Sequence, residues 1–215
     1  MSINLTIDGL GNSGRRAPFS PPPMLQRSTL FPTTIWQARL GHLEPMRGSW
    51  IAHAAALRKA SPESAGRTNR QGWNSSDLAV LSDPVFALLN TAITQAGQAA
   101  LRDTMSTPPA FTLQSWINIH DRNGFNHLHM HEGCLLSGCF YLQVPEGSGK
   151  LAFRDPRAGA RHSLIKGNGA NAHMDVHLTP SDNLLVLFPA WLEHLVEPHG
   201  ADTARIAIAF NLIGA

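Results

Sequence analysis

The chain is short of several things that would direct its reading elsewhere. Only two of its 215 residues are cysteine, Cys134 and Cys139. Five apart on what reads as one strand, they face opposite ways and pair only with difficulty. Free thiols are therefore expected, which suits a cytoplasmic protein. Charged residues make up 15 %, against about 25 % in an average chain. The net charge of +2 has no basic run behind it, since Arg15-Arg16 and Arg58-Lys59 are isolated pairs. Nucleic acid is thus not an expected partner. No stretch approaches the roughly 20 apolar residues of a membrane-spanning helix. The opening MSINLTIDGLGNSGRRAPFSPPPM lacks the basic-then-apolar order of a signal peptide. No internal repeat is evident. The expectation is one domain without a membrane partner, large enough to bury a core unaided.

What the chain does have is histidine in one place. His120, His127, His129 and His131 fall in the twelve residues HDRNGFNHLHMH. In extended backbone, residues two apart point to the same side. If the segment is a strand, His127, His129 and His131 are expected to share a face. Neutral imidazoles held convergently bind iron, zinc, copper and nickel, and a His-x-His pair offers two of them from one rigid element. His194, after FPAWLE, is the leading third ligand, and Arg205 follows eleven residues later. A closed structural zinc shell is disfavoured, because such shells prefer several cysteines. Histidines that merely sit on a surface or in a core remain the plain alternative at this point.

Around this cluster the chain orders itself simply. Residues 1–29 are rich in Gly, Ser and Pro and read as a mobile or surface-draped arm. Residues 30–40 carry β-branched and aromatic side chains and predict a strand. Met46, Trp50, Ile51, Ala54 and Leu57 recur at helical spacing, predicting a helix over 45–60. Residues 63–77 are polar and predict a loop pinned by Trp73. A second helix is predicted over 84–104: Asp83 caps it, Pro84 opens it, and Val85, Phe86, Leu89, Ala92, Ile93, Ala96 and Ala100 form its stripe.

From Phe111 onward the character is β. Phe111, Leu113, Ile117 and Ile119 alternate with Gln114, Trp116, Asn118 and His120. Strands follow over 135–144, 150–154, 173–178, 183–188, 194–197 and 205–212, with a Gly-rich loop over 158–171 as candidate lid. On the last strand Ile206, Ile208, Phe210 and Leu212 make one face. Arg205, Ala207, Ala209 and Asn211 make the other, either a cavity lining or a solvated face. Helices followed by seven or eight short strands predict a mainly β fold, an antiparallel barrel or jelly roll over 111–212 braced by helices on one face.

The segments HLHMHEGCLLSGCFYLQVPEGSGKLAFRDPR and LLVLFPAWLEHLVEPHGADTARIAIAFNL resemble the 2-oxoglutarate and Fe(II)-dependent oxygenases of the prolyl-4-hydroxylase-like group. More narrowly they are similar to a bacterial and phage branch with H-x-H-P, S-G-x-Y-Y, F-x-D-P-R and F-P-x-W-L-x-H segments. The resemblance covers 30–212 and is most specific after Phe111. It implies a cupin-like double-stranded β-helix in a domain spanning 30–215. It also implies His129, His131 and His194 as metal and catalytic residues, with Arg205 on the far carboxylate of 2-oxoglutarate. Asn118, Asn211 and Tyr141 are the further cosubstrate-side candidates. Fe(II), 2-oxoglutarate, O₂ and an unidentified small substrate to be hydroxylated are the implied partners; self-association is left open.

Two positions depart from the wider pattern. His131 stands where the superfamily carries an Asp or Glu ligand, and Glu132 stands where the branch carries Pro. Glu132 is the second choice as ligand, since strand neighbours point apart. The rival readings are a cupin-type three-histidine dioxygenase that needs no 2-oxoglutarate, and a metal-binding module without activity.

Overall fold

The computed structural model describes residues 31–159 and 175–215. The N-terminal arm and nearly all of the Gly-rich loop lie outside the described residues. Both helices form where their apolar spacing predicts. The first, α1, spans Glu44–Ala60 with Pro45 in its first turn, where a missing N–H costs nothing. It buries Trp50 and Ala54, and Trp50 Nε1 donates to the Val85 carbonyl at 2.8 Å. The second, α2, spans Ala87–Thr104 and is led in by a 3₁₀ turn, Pro84–Phe86, capped by Asp83 Oδ1 accepting from Val85 N at 2.9 Å. The α2 stripe of Leu89, Ile93, Ala100 and Leu101 is buried. Gly97 lets this helix lie close on the sheet: a Cβ there would come within 2.8 Å of the Leu212 side chain.

Among the described residues nine strands form one antiparallel sheet: β1 (Trp36–Arg39), β2 (Asn69–Asn74), β3 (Phe111–His129), β4 (Leu136–Gln143), β5 (Leu151–Arg154), β6 (Asp175–Leu178), β7 (Leu184–Pro189), β8 (His194–Val196) and β9 (Arg205–Gly214). Their order is β1-β7-β4-β9-β3-β8-β5-β6, with β2 also paired to β3. The strand β2 corrects the loop expected over 63–77. Its sequence NRQGWN lacks alternation, and it pairs by backbone alone while Trp73 is buried and donates to Ser61 O at 2.8 Å. Trp73 does pin the segment as expected. At the sheet's edge β1 is shorter than predicted, having only β7 as neighbour.

The sheet curls until its ends meet. Phe153 on β5 and Phe188 on β7 are five strands apart in the order, which in a flat sheet is about 24 Å. Their ring centroids are 5.0 Å apart. Two cores result. One, between the helices and the sheet, holds Trp50, Phe86, Ile93, Ile117, Phe140 and Phe210; each such side chain, fully buried, contributes ~1.5–3 kcal/mol. The other, inside the curl, holds Tyr141, Phe153, Val186, Phe188 and Leu192. Along β9, Ile206, Ile208, Phe210 and Leu212 join the first core, while Arg205, Ala207, Ala209 and Asn211 line a cavity inside the curl. The solvated alternative for that face is excluded.

Two irregularities in β3 position the site. Between the pairs Gly72↔His120 and Arg70↔Phe125, five steps on β3 match two on β2, so three residues loop out, with Asn123 at φ 67°. Between Asn126↔Val196 and His129↔His194, three steps match two. That second, one-residue bulge reverses the pleat.

Candidate active site

The bulge decides which histidines meet. His129 and His194 are directly opposed across β3 and β8, with ring centroids 4.3 Å apart. His131 lies just beyond β3, held by its N–H donating to Ala190 O at 2.9 Å. Its ring is 5.1 Å from His129 and 5.2 Å from His194, stacked on the latter. One nitrogen from each of the three lies within 4.8 Å of the others. His127, expected on the same face, is exposed and its ring packs edge-on to Phe125. The physical reason is the bulge, which places Asn126 and His129, three apart, on the cavity side.

The ring nitrogens are already sorted for ligation. His129 Nδ1 donates to the His127 carbonyl at 2.6 Å, and His194 Nδ1 donates to the Leu192 carbonyl at 2.9 Å. In both rings Nε2 is left as the lone-pair nitrogen, since a backbone carbonyl holds the Nδ1 proton, as is typical of metal-bound histidine. Burial lowers the pKa of all three: His129 downward, His131 to about 4, and His194 to about 3. The charges of His129 and His131 on their neighbours add to this lowering in His131 and His194. All three imidazoles are thus neutral at pH 7. Phe188 and Phe153 wall His194 at 4.6 and 6.2 Å.

The same cavity, about 330 Å³, reaches Arg205. Arg205 is 2 % exposed. Its Nη1 donates to Gly149 O at 2.6 Å and its Nη2 to His120 Nδ1 at 2.8 Å. No carboxylate among the described residues pairs with it, and burial pushes its pKa below the ordinary arginine value, although a guanidinium stays charged at any working pH. A buried cation without a counter-ion is costly, and an anionic ligand relieves that cost. His120, at the end of the alternating run from Phe111, is this arginine's partner. It is buried, and burial with the adjacent guanidinium lowers its pKa to about 3, so its Nδ1 accepts.

Residues 114–211 match the model of a family described as "Putative 2OG-Fe(II) oxygenase". Over those residues, 98 of the 215, the chain is similar to the 2OG-Fe(II) oxygenases. Among solved structures, the oxygenase superposes on a Pseudomonas putida prolyl-4-hydroxylase with a TM-score of 0.61 and 13 % identity, covering 85 % of this chain and 94 % of that one. HygX from Streptomyces hygroscopicus, crystallised with nickel and 2-oxoglutarate, gives 0.59 at 13 % identity over 85 % and 83 %. A Trichoplax adhaerens prolyl hydroxylase in complex with a hypoxia inducible factor peptide fragment gives 0.58 at 13 % over 84 % and 83 %. At such identity the likeness is of fold, the curled antiparallel sheet of a double-stranded β-helix. No curated sequence matches the chain.

The oxygenase uses Fe(II) and 2-oxoglutarate, and its residues fit both. A convergent set of neutral imidazoles suits Fe(II), and a buried guanidinium with no carboxylate partner among the described residues suits a carboxylate. Glu132, the second-choice ligand, is exposed and outside the triad. Of the other candidates, Asn118 lines the cavity with its Oδ1 accepting from Asn74. Asn211 Nδ2 donates to Gln114 Oε1 at 3.0 Å and its Oδ1 accepts from Ser137 at 2.9 Å. Tyr141 is buried on the cavity wall, its pKa raised by burial. Cys139 beside it is a free thiol pushed up to about 11. Among the described residues no helix is long and apolar enough to cross a membrane.

Proposed function

We propose that His129, His131 and His194 hold the Fe(II), that Arg205 receives the far carboxylate of 2-oxoglutarate, and that the product is a hydroxylated substrate. The observation that carries this is the coexistence, in one cavity, of three convergent neutral imidazoles and a buried guanidinium with no carboxylate partner among the described residues. When bound, Fe(II) and 2-oxoglutarate supply the oxidising chemistry: O₂ converts the keto acid to succinate and CO₂, and its second oxygen atom enters a substrate C–H bond.

The chain's own residues bind, orient and keep dry. The carbonyls of His127 and Leu192 fix the tautomers of two ligands. Gly149 O and His120 Nδ1 fix the fork of Arg205, so its remaining N–H groups are aimed before the cosubstrate arrives. Asn118, its oxygen committed to Asn74, offers an amide N–H₂, and Tyr141 offers a hydroxyl. Asn211, tied at both ends, stiffens the wall between them. Phe153, Phe188 and Leu192 exclude water beside the triad. With His131 in place of a carboxylate, the ligand set is neutral, and a dianionic cosubstrate meets an uncompensated metal charge. Reduced Cys134 and Cys139 favour a cytoplasmic setting.

The test is anaerobic addition of Fe(II), then 2-oxoglutarate, to the purified protein while watching for a visible charge-transfer band. The band is expected in the wild type and not in Arg205→Gln, whose iron content stays unchanged. Iron binding with no response to 2-oxoglutarate would move the three-histidine dioxygenase to first place, a reading that His131 favours.

A further inference from the structure

The cavity holds a second guanidinium that the chemistry above does not use. Arg67, in the segment leading into β2, lines the same cavity as the triad. Its Cζ sits 5.4 Å from the centroid of the Trp116 ring, and that ring lies 5.9 Å from the ring of His131. Trp116 therefore neighbours both the cation and the metal-facing imidazoles. Arg67 Nη1 makes one long hydrogen bond, 3.3 Å to Ser75 O. No carboxylate among the described residues pairs with Arg67, and the described lining contains neither Asp nor Glu.

The backbone under Arg67 is strained. Its φ is 28°, directly after Gly66 at φ 76°, a region that bulky side chains avoid. Three bonds impose it: Arg67 N to Ala65 O at 2.9 Å, Ala65 N to Asn74 O at 3.2 Å, and Arg70 Nη1 to Arg67 O at 2.9 Å. Strain of this kind persists where the surroundings over-determine it and gathers at ligand-binding sites. An indole beneath a partly desolvated guanidinium steadies it, and the N–H donors of Arg67 other than the one on Ser75 O stay available. Charge points the same way. Fe(II) on three neutral ligands, together with Arg205, outweighs a dianionic cosubstrate, so the filled cavity is positive even before Arg67 is counted.

We propose that Arg67 recognises an anionic group on the substrate, a carboxylate or a phosphoryl, and that the adjacent apolar part of the substrate lies against Trp116. Exposed Leu78 and Met130 on the cavity lining extend that apolar contact. This rests on the oxygenase reading, because it makes the iron cavity the substrate site. The substrate class is then an oxyanion-bearing small molecule with an aromatic or aliphatic body.

The test uses three matched probes, 3-phenylpropanoate, phenyl phosphate and neutral 3-phenylpropanamide. Each is titrated calorimetrically into the full-length protein, without and then with Fe(II) and 2-oxoglutarate under anaerobic conditions. One anion is expected to bind about ten- to a hundredfold more tightly than the amide, the span of a charge-assisted hydrogen bond. Which anion wins identifies the group. In Arg67→Gln the preference disappears and in Arg67→Lys it is partly kept, while iron content and 2-oxoglutarate affinity stay at wild-type values in both. Equal binding of anion and amide to the wild type, or a preference that survives in Arg67→Gln, overturns the proposal. So does displacement of the anion by 2-oxoglutarate, which would place it on Arg205. If 2-oxoglutarate itself fails to bind, the oxygenase reading falls on that titration alone, and the probe preference still decides the role of Arg67.

Discussion

His120 and Arg205 face each other across β3 and β9, and His120 Nδ1 accepts a 2.8 Å hydrogen bond from Arg205 Nη2. Replacing His120 with Leu strips an acceptor from a buried guanidinium, at a cost of about 1–3 kcal/mol in stability. The same change is expected to weaken 2-oxoglutarate binding without altering iron content. His120→Asn, which keeps an acceptor near the position of Nδ1, should recover much of the affinity. Anaerobic cosubstrate titration of both variants checks this, and equal affinities in His120→Leu and wild type would remove His120 from any positioning role.

His194→Ala is expected to abolish iron binding, whereas His127→Ala should leave it at the wild-type level, because His127 is exposed within the bulge and its ring packs on Phe125, outside the triad. Metal content after equilibrium dialysis distinguishes the two. Arg205→Ala should retain iron and lose about 2–5 kcal/mol of 2-oxoglutarate affinity, the usual consequence of truncating a buried charged partner.

Gly149 is the most closely approached glycine among the described residues: a Cβ there would collide with the Glu197 carbonyl oxygen. Gly149→Ala therefore has to move the backbone, an overpacking that costs about 1–3 kcal/mol or more. Since Gly149 O also holds Arg205 Nη1, the variant should both melt earlier and bind 2-oxoglutarate more weakly. A lower melting temperature with unchanged cosubstrate affinity would separate the two roles.

The metal-free protein should lose stability on mild acidification. His120, His131 and His194 have folded-state pKa values of about 3, about 4 and about 3, against about 6.5 when unfolded. Below pH 6.5 the unfolded chain takes up protons that the folded chain refuses. Stability present above pH 6.5 is therefore lost as pH falls towards 3–4, at about 1.4 kcal/mol per pH unit for each histidine. Urea midpoints at pH 7.5 and pH 5 measure it. Iron should widen the gap, since it binds only the neutral rings.

Much of this was legible in the chain, and the exceptions share a cause. Helical spacing located α1 and α2, and alternation located β9 with its two faces, because a stripe or a pleat is a local property of sequence. The triad was legible through His129-x-His131 and the lone late His194. His127 was misread because nothing in NGFNHLHMH marks a one-residue bulge. The strand β2 was missed because NRQGWN pairs through its backbone, with only buried Trp73 as a signal. The role of His120 depends on the register between β3 and β9, and that of Arg67 on a turn that carries its guanidinium over Trp116. Neither juxtaposition leaves a local pattern.

The two irregularities of β3 differ in what they let the chain do. The excursion at 121–124, three residues longer than its counterpart on β2, is tied off by Arg58–Asp121 and by the paired backbone bonds of Asn123 and Gly124 with His199. On either side of it, β9 sets the phase of Gln114 to His120 and β8 that of Asn126 to His129. The excursion is thus slack: its length can change while both halves stay in step. The bulge before His129 is not slack but parity. Removing one residue at Arg122 or Asn123 shortens a loop, whereas flattening the bulge with every residue kept would set Leu128, not His129, opposite His194.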